Sequence, residues 1–85
     1  MNRKYLIVQT PKFERRFRKL SLDLQQRISS QILELEIQPQ AGKPLHGRLK
    51  GLFSLRVGEY RVVYEIRKER VLLHLVAHRR AVYEI

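Results

Sequence analysis

The sequence predicts a small α+β domain with the element order β-α-α-β-β-β, in which an N-terminal helical hairpin packs on a mainly antiparallel four-stranded sheet. Its length of 85 residues allows one domain, spanning residues 1–85. Two segments of helical periodicity follow one short apolar segment, and three alternating segments fill the C-terminal half. Short connections between those three segments indicate antiparallel neighbours.

The first strand and first helix are predicted at the N-terminus. Residues 5–9 are predicted to form the strand, of which residues 5–8 are apolar, and Thr10 and Pro11 are typical of an N-cap and a first helical position. Phe13 and Phe17 then share one side of the helix, which leaves its outer surface strongly basic. That surface is either only solvated or contacts RNA or an acidic partner; its cations are Arg15, Arg16, Arg18 and Lys19.

A second helix is predicted to begin after Ser21, which can cap it, and to end at Pro39. Its apolar residues recur every three to four positions and predict a core stripe: Leu24, Ile28, Ile32 and Leu35. Because almost nothing separates the two helices, we expect an antiparallel hairpin. Residues 38–51 are rich in proline and glycine and are predicted to be the principal loop.

Three strands are predicted at residues 52–57, 60–66 and 71–78. Gly58 between the first two favours a two-residue type II′ turn, in which Arg56 faces Arg61 on one side of the sheet. Like charges directly opposite each other are destabilising. A bound anion would relieve this repulsion, and a phosphate matches the guanidinium group.

A simple hairpin about residues 68–69 would extend this arginine pair into a larger patch. It pairs Tyr64 with Leu73 and Val62 with Leu75, which leaves Val63 facing His74 and Arg61 facing Val76 on the other side. The side chains predicted to share that second side are Ser54, Arg56, Arg61, His74 and His78. A slip of one residue in the register would undo this patch.

The composition narrows the possible partners and compartments. Eighteen Lys and Arg against eight Asp and Glu give a net charge of +10, which favours nucleic acid or an acidic protein over a membrane. With no cysteine and only three dispersed histidines, no metal site is expected. No signal-peptide core is present, and we expect a cytoplasmic protein.

The arginine patch suits phosphodiester chemistry. Arginines can neutralise a phosphate, while His or Tyr can move protons. Because RNA carries its own 2′-hydroxyl nucleophile, its cleavage needs no metal or other cofactor. Each residue also has a structural alternative: the arginines can simply be solvated, His74 can be a partly buried strand residue, and Tyr83 can anchor the C-terminus.

Two segments, residues 49–64 (LKGLFSLRVGEYRVVY) and 77–83 (AHRRAVY), together with the order of the elements, resemble the RelE/ParE superfamily of toxins. The resemblance covers practically the whole chain. It implies a RelE-like fold and a toxin of a type II toxin–antitoxin pair. On the RelE branch, it implies a ribosome-dependent endoribonuclease that cuts mRNA and is inhibited by a cognate acidic antitoxin.

The resemblance also implies roles for individual residues. Arg56 and Arg61 match residues that hold the scissile phosphate, Arg79 matches one that stabilises the transition state or protonates the leaving group, and Tyr83 matches one that orients or deprotonates the 2′-hydroxyl. His78 could share the acid–base role. Residues expected to contact RNA or the ribosome are Lys43, Arg48, Lys50, Arg80, Arg15 and Arg16.

The chain departs from the resembled RelE pattern in two respects. Ser54 stands where well-known RelE members carry a further lysine, which removes one source of electrostatic stabilisation. The sequence ends at Ile85, without the longer C-terminal helix of some members. Two other functions remain open. One is inhibition of DNA gyrase by binding to it, as in ParE toxins. The other is non-catalytic binding of nucleic acid through the first helix and residues 43–50.

Overall fold

The structure, a computed structural model, describes residues 4–81. Within this range no helix is long and apolar enough to cross a membrane. The helices and strands are β1 (Leu6–Gln9), α1 (Pro11–Arg18), α2 (Leu22–Leu33), β2 (Lys43–Pro44), β3 (Leu52–Val57), β4 (Tyr60–Arg67) and β5 (Arg70–His78). Short 3₁₀ turns at Glu34–Glu36, Pro39–Ala41 and Gly47–Leu49 connect some of them.

The strands form one sheet in the order β1-β5-β4-β3-β2. β1 is parallel to β5 and all other pairs are antiparallel, so the predicted α+β class and mainly antiparallel sheet are confirmed. The predicted number of four strands is wrong, because Lys43 and Pro44 in the predicted loop pair with β3 as a fifth strand. Pro44 is tolerated there because an edge strand does not need every backbone N–H.

Both helices begin at the predicted caps. The Thr10 hydroxyl accepts the backbone N–H of Phe13 at 3.3 Å, and the Ser21 hydroxyl accepts that of Leu24 at 3.2 Å. The end of α2 was predicted wrongly: it lies at Leu33, and the chain continues as a 3₁₀ turn well before Pro39. This tighter turn allows the Glu36 carbonyl to accept the N–H of Tyr5 at 2.8 Å, which ties the helix end to the approach to β1.

The main core lies between the helices and one side of the sheet, here called the helix-covered face. Its fully buried side chains come from α1, α2, the following 3₁₀ turn and the strands β4 and β5: Phe13, Ile28, Leu35, Val62, Tyr64, Val71 and Leu73. Burying such a side chain stabilises the fold by roughly 1.5–3 kcal/mol relative to leaving it exposed. The apolar stripes predicted from helical spacing are therefore core residues.

The other side of the sheet, here called the opposite face, carries a smaller apolar cluster of Val63, Leu75 and Ala77. Its composition reflects a one-residue bulge in β5. Tyr64 pairs with Leu73 but Val63 pairs with Leu75, so His74 is an extra residue in the ladder.

The bulge corrects several predicted pairs. Val62 faces Val76 rather than Leu75, Val63 faces Leu75 rather than His74, and Arg61 faces Ala77 rather than Val76. Alternation beyond the bulge is reversed, which moves Val76 and His78 to the helix-covered side.

Candidate active site

The β3–β4 turn has the predicted geometry. Of its two central residues only Gly58 has a positive φ, of 60°, as a type II′ turn requires. Arg56 pairs with Arg61 across the strands, which confirms the register predicted from the turn. The backbone therefore places the two arginines at directly opposite positions.

Their side chains nevertheless line different pockets. Arg61 lines a pocket of about 320 Å³ on the opposite face, together with Lys43, His46 and Ser54. Arg56 instead donates from Nε to the Gly58 carbonyl oxygen at 3.3 Å and lines a second pocket, of about 390 Å³, beside Arg27 of α2. Lining separate pockets limits the like-charge repulsion of a directly opposed pair.

Tyr64 fixes the segment that carries Lys43. Its buried hydroxyl donates to the Pro39 carbonyl oxygen at 2.7 Å and accepts the Gly42 N–H at 2.9 Å. Burial raises the pKa of the Tyr64 phenol, which keeps it protonated as a donor. Gly42 is required for this close approach, since a Cβ there would lie 2.6 Å from the Tyr64 hydroxyl oxygen. The edge strand β2 is thus held at a fixed position beside β3.

Ser54 provides the buried polar group of the Arg61 pocket. Its backbone pairs with Lys43 on one side and Val63 on the other, and the residue is only 4% exposed. The Ser54 Oγ has no hydrogen-bond partner among residues 4–81. A buried hydroxyl without a partner is costly, and such groups in native structures are often found at functional sites.

Arg79 is held against the β3–β4 turn. Its backbone N–H donates to the Glu59 carbonyl oxygen at 2.8 Å, and its Nε lies 2.9 Å from Glu59 Oε2. Both side chains are about half exposed, so the ion pair adds little stability. The contact places the end of β5 beside the β3–β4 turn, at the same end of the strands as Arg56 and Arg61.

His78 lies elsewhere than predicted. Because of the bulge, its ring packs edge-on against Tyr60, with centroids 5.6 Å apart, on the helix-covered side. There it lines a groove of about 510 Å³ with cations of α1 and the residue after it, so the predicted neighbourhood of His78 and the Arg56–Arg61 pair is wrong. These cations are Lys12, Arg15, Arg16 and Lys19.

His74 forms part of an ion-pair network. Its Nε2 lies 2.9 Å from Glu65 Oε1, and Arg67 binds the other oxygen of the same carboxylate at 2.9 Å. The hydrogen bond from His74 lowers the pKa of Glu65, with a smaller contribution from Arg67. This placement supports the structural alternative for His74.

The remaining predicted site residues are spread over the surface. Arg48 and Lys50 are exposed at the Gly47–Leu49 turn, and neither lines the Arg61 pocket. Arg80 is exposed, and its backbone N–H donates to His78 Nδ1 at 3.3 Å. Tyr83 lies outside the described residues. Between Lys4 and Ala81, no group of three acidic or histidine side chains could hold a metal ion.

His46 was not predicted as a site residue. It follows β2 directly and lines the Arg61 pocket with Leu45 and Leu49. One local feature could have indicated the short strand β2 that positions His46. It is the proline after Lys43, which is compatible with an edge strand although the surrounding segment is rich in turn residues.

Two helices on one face of a small mixed sheet, with arginine-lined pockets at the end of its central strands, define a basic protein of the RelE-like fold. The chain matches the model of the ParE toxin of the type II toxin–antitoxin system parDE over residues 7–83. It belongs to this family and so to the RelE/ParE superfamily of type II toxin–antitoxin toxins. No curated protein sequence matches it significantly.

Solved structures show the same fold. The chain is 30% identical to a chain of the RelBE2 toxin–antitoxin complex from Mycobacterium tuberculosis, with a TM-score of 0.82 over 88% of this chain and 98% of that one. The isolated RelE toxin from E. coli gives a TM-score of 0.75 at 20% sequence identity, over 87% of this chain and 83% of that one. A chain of the RelB–RelE complex from Methanococcus jannaschii gives a TM-score of 0.73 at 20% sequence identity, over 91% of this chain and 95% of that one.

Proposed function

We propose that this toxin is a ribosome-dependent endoribonuclease that cleaves mRNA and so inhibits translation. The observation that carries the proposal is the backbone position of three arginines at one end of the central strands: Arg61 in a basic pocket, Arg56 at the paired position on β3 with its side chain in a neighbouring pocket, and Arg79 bound to the turn between them. The 30% identity to the RelBE2 chain supports the RelE branch.

In the proposed reaction, the ribose 2′-hydroxyl attacks the adjacent phosphorus and the bond to the 5′-oxygen breaks. Arg61 holds the phosphate and stabilises the charge that develops on its oxygens. Arg56, whose exposed side chain lines the separate pocket beside α2, joins Arg61 by leaving the Gly58 carbonyl and turning towards the bound phosphate. Of the two roles that the resemblance implies for Arg79, we assign it stabilisation of the transition state, because a guanidinium does not release a proton in proteins. Tyr83 orients or deprotonates the 2′-hydroxyl. RNA supplies the nucleophile, so the proposal requires no cofactor. His78 lies across the sheet from Arg61, which does not support an acid–base role for it.

The proposed partners follow from the charge distribution. The net charge of +10 favours mRNA and ribosomal RNA, with contacts on both sides of the sheet. On the helix-covered side these contacts involve Arg15 and Arg16; elsewhere they involve Lys43, Arg48, Lys50 and Arg80. Complexes solved for similar chains support a cognate antitoxin, whose acidic segment would fold on the basic surface and block it.

The test adds the purified protein to ribosomes translating a defined mRNA and maps the new RNA ends. Cleavage at the ribosomal A site is expected with ribosomes and not with the same mRNA alone. A parallel reaction measures DNA supercoiling by gyrase, which should be unaffected. Intact mRNA in the presence of active translation would contradict the proposal.

A second candidate function is inhibition of DNA gyrase by binding. It is favoured by the match to the ParE toxin model over residues 7–83. This function needs no catalytic arginine, so replacing Arg61 would leave it intact unless Arg61 contacts gyrase. Blocked supercoiling together with intact mRNA would establish this alternative.

A further inference from the structure

The Arg61 pocket contains polar groups that the proposed reaction does not yet use. Lys43 and Arg61 provide two positive charges, and Ser54 and His46 provide a hydroxyl and an imidazole. The backbone fixes the position of His46: the neighbouring Leu45 N–H donates to Leu52 O at 2.9 Å, and the His46 carbonyl accepts the N–H of Leu49 at 3.3 Å. The pocket is therefore built by β2, β3 and β4 and the turn after β2.

The Ser54 hydroxyl indicates what the pocket holds. It is buried, has no partner in the described part of the chain, and belongs to a pocket that a lysine and an arginine also line. A buried hydroxyl can donate one hydrogen bond, and the surrounding charges favour an anionic acceptor. A phosphate oxygen satisfies both requirements.

The proposed reaction also lacks a proton donor for its leaving group. The departing 5′-oxygen must gain a proton, but an arginine guanidinium does not release one in proteins. Imidazole gains and loses a proton near neutral pH and is the commonest general acid. Of the three histidines, His74 is bound to Glu65 and His78 is on the helix-covered side, which leaves His46 beside Arg61.

We propose that the Arg61 pocket binds a phosphate group, that the Ser54 hydroxyl donates a hydrogen bond to it, and that His46 is a catalytic residue that protonates the leaving 5′-oxygen. As the 2′-oxygen forms its bond to phosphorus, the bond to the 5′-oxygen breaks and the imidazolium proton moves to that oxygen. The proton transfer rests on the proposed RNA cleavage, whereas phosphate binding does not.

Phosphate binding is tested by nuclear magnetic resonance of the imidazole groups. The chain has three histidines, so each signal can be assigned by replacing one histidine at a time with glutamine. Inorganic phosphate and a nucleoside 3′-monophosphate are the probes. The His46 signal should shift on titration and the His74 signal should not. Ser54→Ala should raise the Kd of the probe about fivefold, equal to one lost hydrogen bond, while the melting temperature stays the same or rises.

Proton transfer is tested with two mRNA substrates on the ribosome. His46→Gln should lower the cleavage rate of natural RNA about 10²-fold or more, the usual contribution of a general acid. An RNA with sulfur in place of the bridging 5′-oxygen has a leaving group that needs no proton, so His46→Gln should cleave it within about threefold of the unaltered protein. His74→Gln is the matched control and should cleave both RNAs normally.

Three results would overturn the inference. An unchanged His46 signal at about 20 mM nucleotide, well above a Kd of about 1 mM, excludes phosphate binding in the pocket. An equal defect of His46→Gln on both RNAs excludes proton transfer to the leaving group. Normal cleavage of natural RNA by His46→Gln does the same and leaves the proposed endoribonuclease intact. Absence of cleavage by the unaltered protein would reject the proposed function, while the titration would still decide phosphate binding.

Discussion

Tyr64 and Ser54 occupy neighbouring rungs of the β3–β4 hairpin, but their hydroxyl groups lie on different faces of the sheet and have different surroundings. On the helix-covered face, the Tyr64 hydroxyl donates to Pro39 and accepts from Gly42, so its burial is fully compensated. On the opposite face, the Ser54 hydroxyl is buried beside Lys43 and Arg61 without a protein partner. The Tyr64 hydroxyl is therefore satisfied within the fold, whereas the Ser54 hydroxyl is left available to a ligand.

The largest expected effect tests the functional face. Arg61→Ala should lower ribosome-dependent cleavage about 10²-fold to 10³-fold, because a charge aimed at the developing oxyanion is lost. Arg70→Ala is the matched control: this exposed arginine starts β5 at the other end of the sheet and should not affect cleavage. Mapping of mRNA ends gives the rates. A loss below about threefold, less than 1 kcal/mol of barrier, would remove Arg61 from the mechanism.

The two hydroxyl groups can be compared directly by urea unfolding. Tyr64→Phe should lower the free energy of unfolding by about 2 kcal/mol, because it leaves the Gly42 N–H and Pro39 carbonyl without their partner. Ser54→Ala removes a group that has no partner, so stability should stay constant or rise by up to about 1 kcal/mol. Equal destabilisation by both variants would show that the two faces do not differ in this respect.

Substitutions in the two hairpin turns should have effects of intermediate size on stability and cleavage. Gly58→Ala places a side chain in the left-handed region and should destabilise the protein by about 1 kcal/mol, with some loss of cleavage since this turn carries Arg56 and Arg61. Lys68 has a φ of 56° in the other turn, so Lys68→Gly should relieve strain and leave cleavage unchanged. Thermal unfolding and the cleavage assay together measure both effects.

The smallest expected effect concerns acid stability on the opposite face. Because the folded-state pKa of Glu65 is lowered, chiefly by His74, its contribution is present above the ordinary glutamate pKa of about 4.3 and is lost as the pH falls through the lower folded value. Glu65→Gln should cost at most about 0.5 kcal/mol at neutral pH, since the pair is near the surface.

The difference between the unaltered protein and Glu65→Gln should diminish as the pH falls below about 4.3, where the unfolded chain binds its proton. Urea unfolding at a series of pH values measures this difference. A constant difference across the acid range would mean that the Glu65 carboxylate is not the titrating group.

Local chemistry explains what the sequence predicted well. Thr10 and Ser21 cap their helices through side chains that need only neighbouring backbone, and Gly58 sets the register of β3 and β4 because a two-residue turn leaves no choice of pairing. These features depend on a few consecutive residues. The bounds of β3 were therefore predicted without error.

Features that depend on distant parts of the chain were not predictable in the same way. Nothing in residues 71–78 marks His74 as an extra residue, because a bulge is a property of two paired strands. His46 enters the candidate site only because Tyr64 and Gly42 hold β2 against β3. The turn could predict that Arg56 and Arg61 are opposed, but their separate pockets depend on α2 and β2.

The position of β5 in the sheet has a consequence for how the protein is made. β5 is the last of the described strands in chain order, yet it lies between β1 and β4, and Thr10 at the start of α1 donates both its backbone N–H and its hydroxyl to Leu73 of that strand. During synthesis from the N-terminus, β1 and α1 therefore have no sheet to pack on until β5 has left the ribosome. The nascent chain completes its sheet, and gains any activity that depends on it, only after β5 has been synthesised.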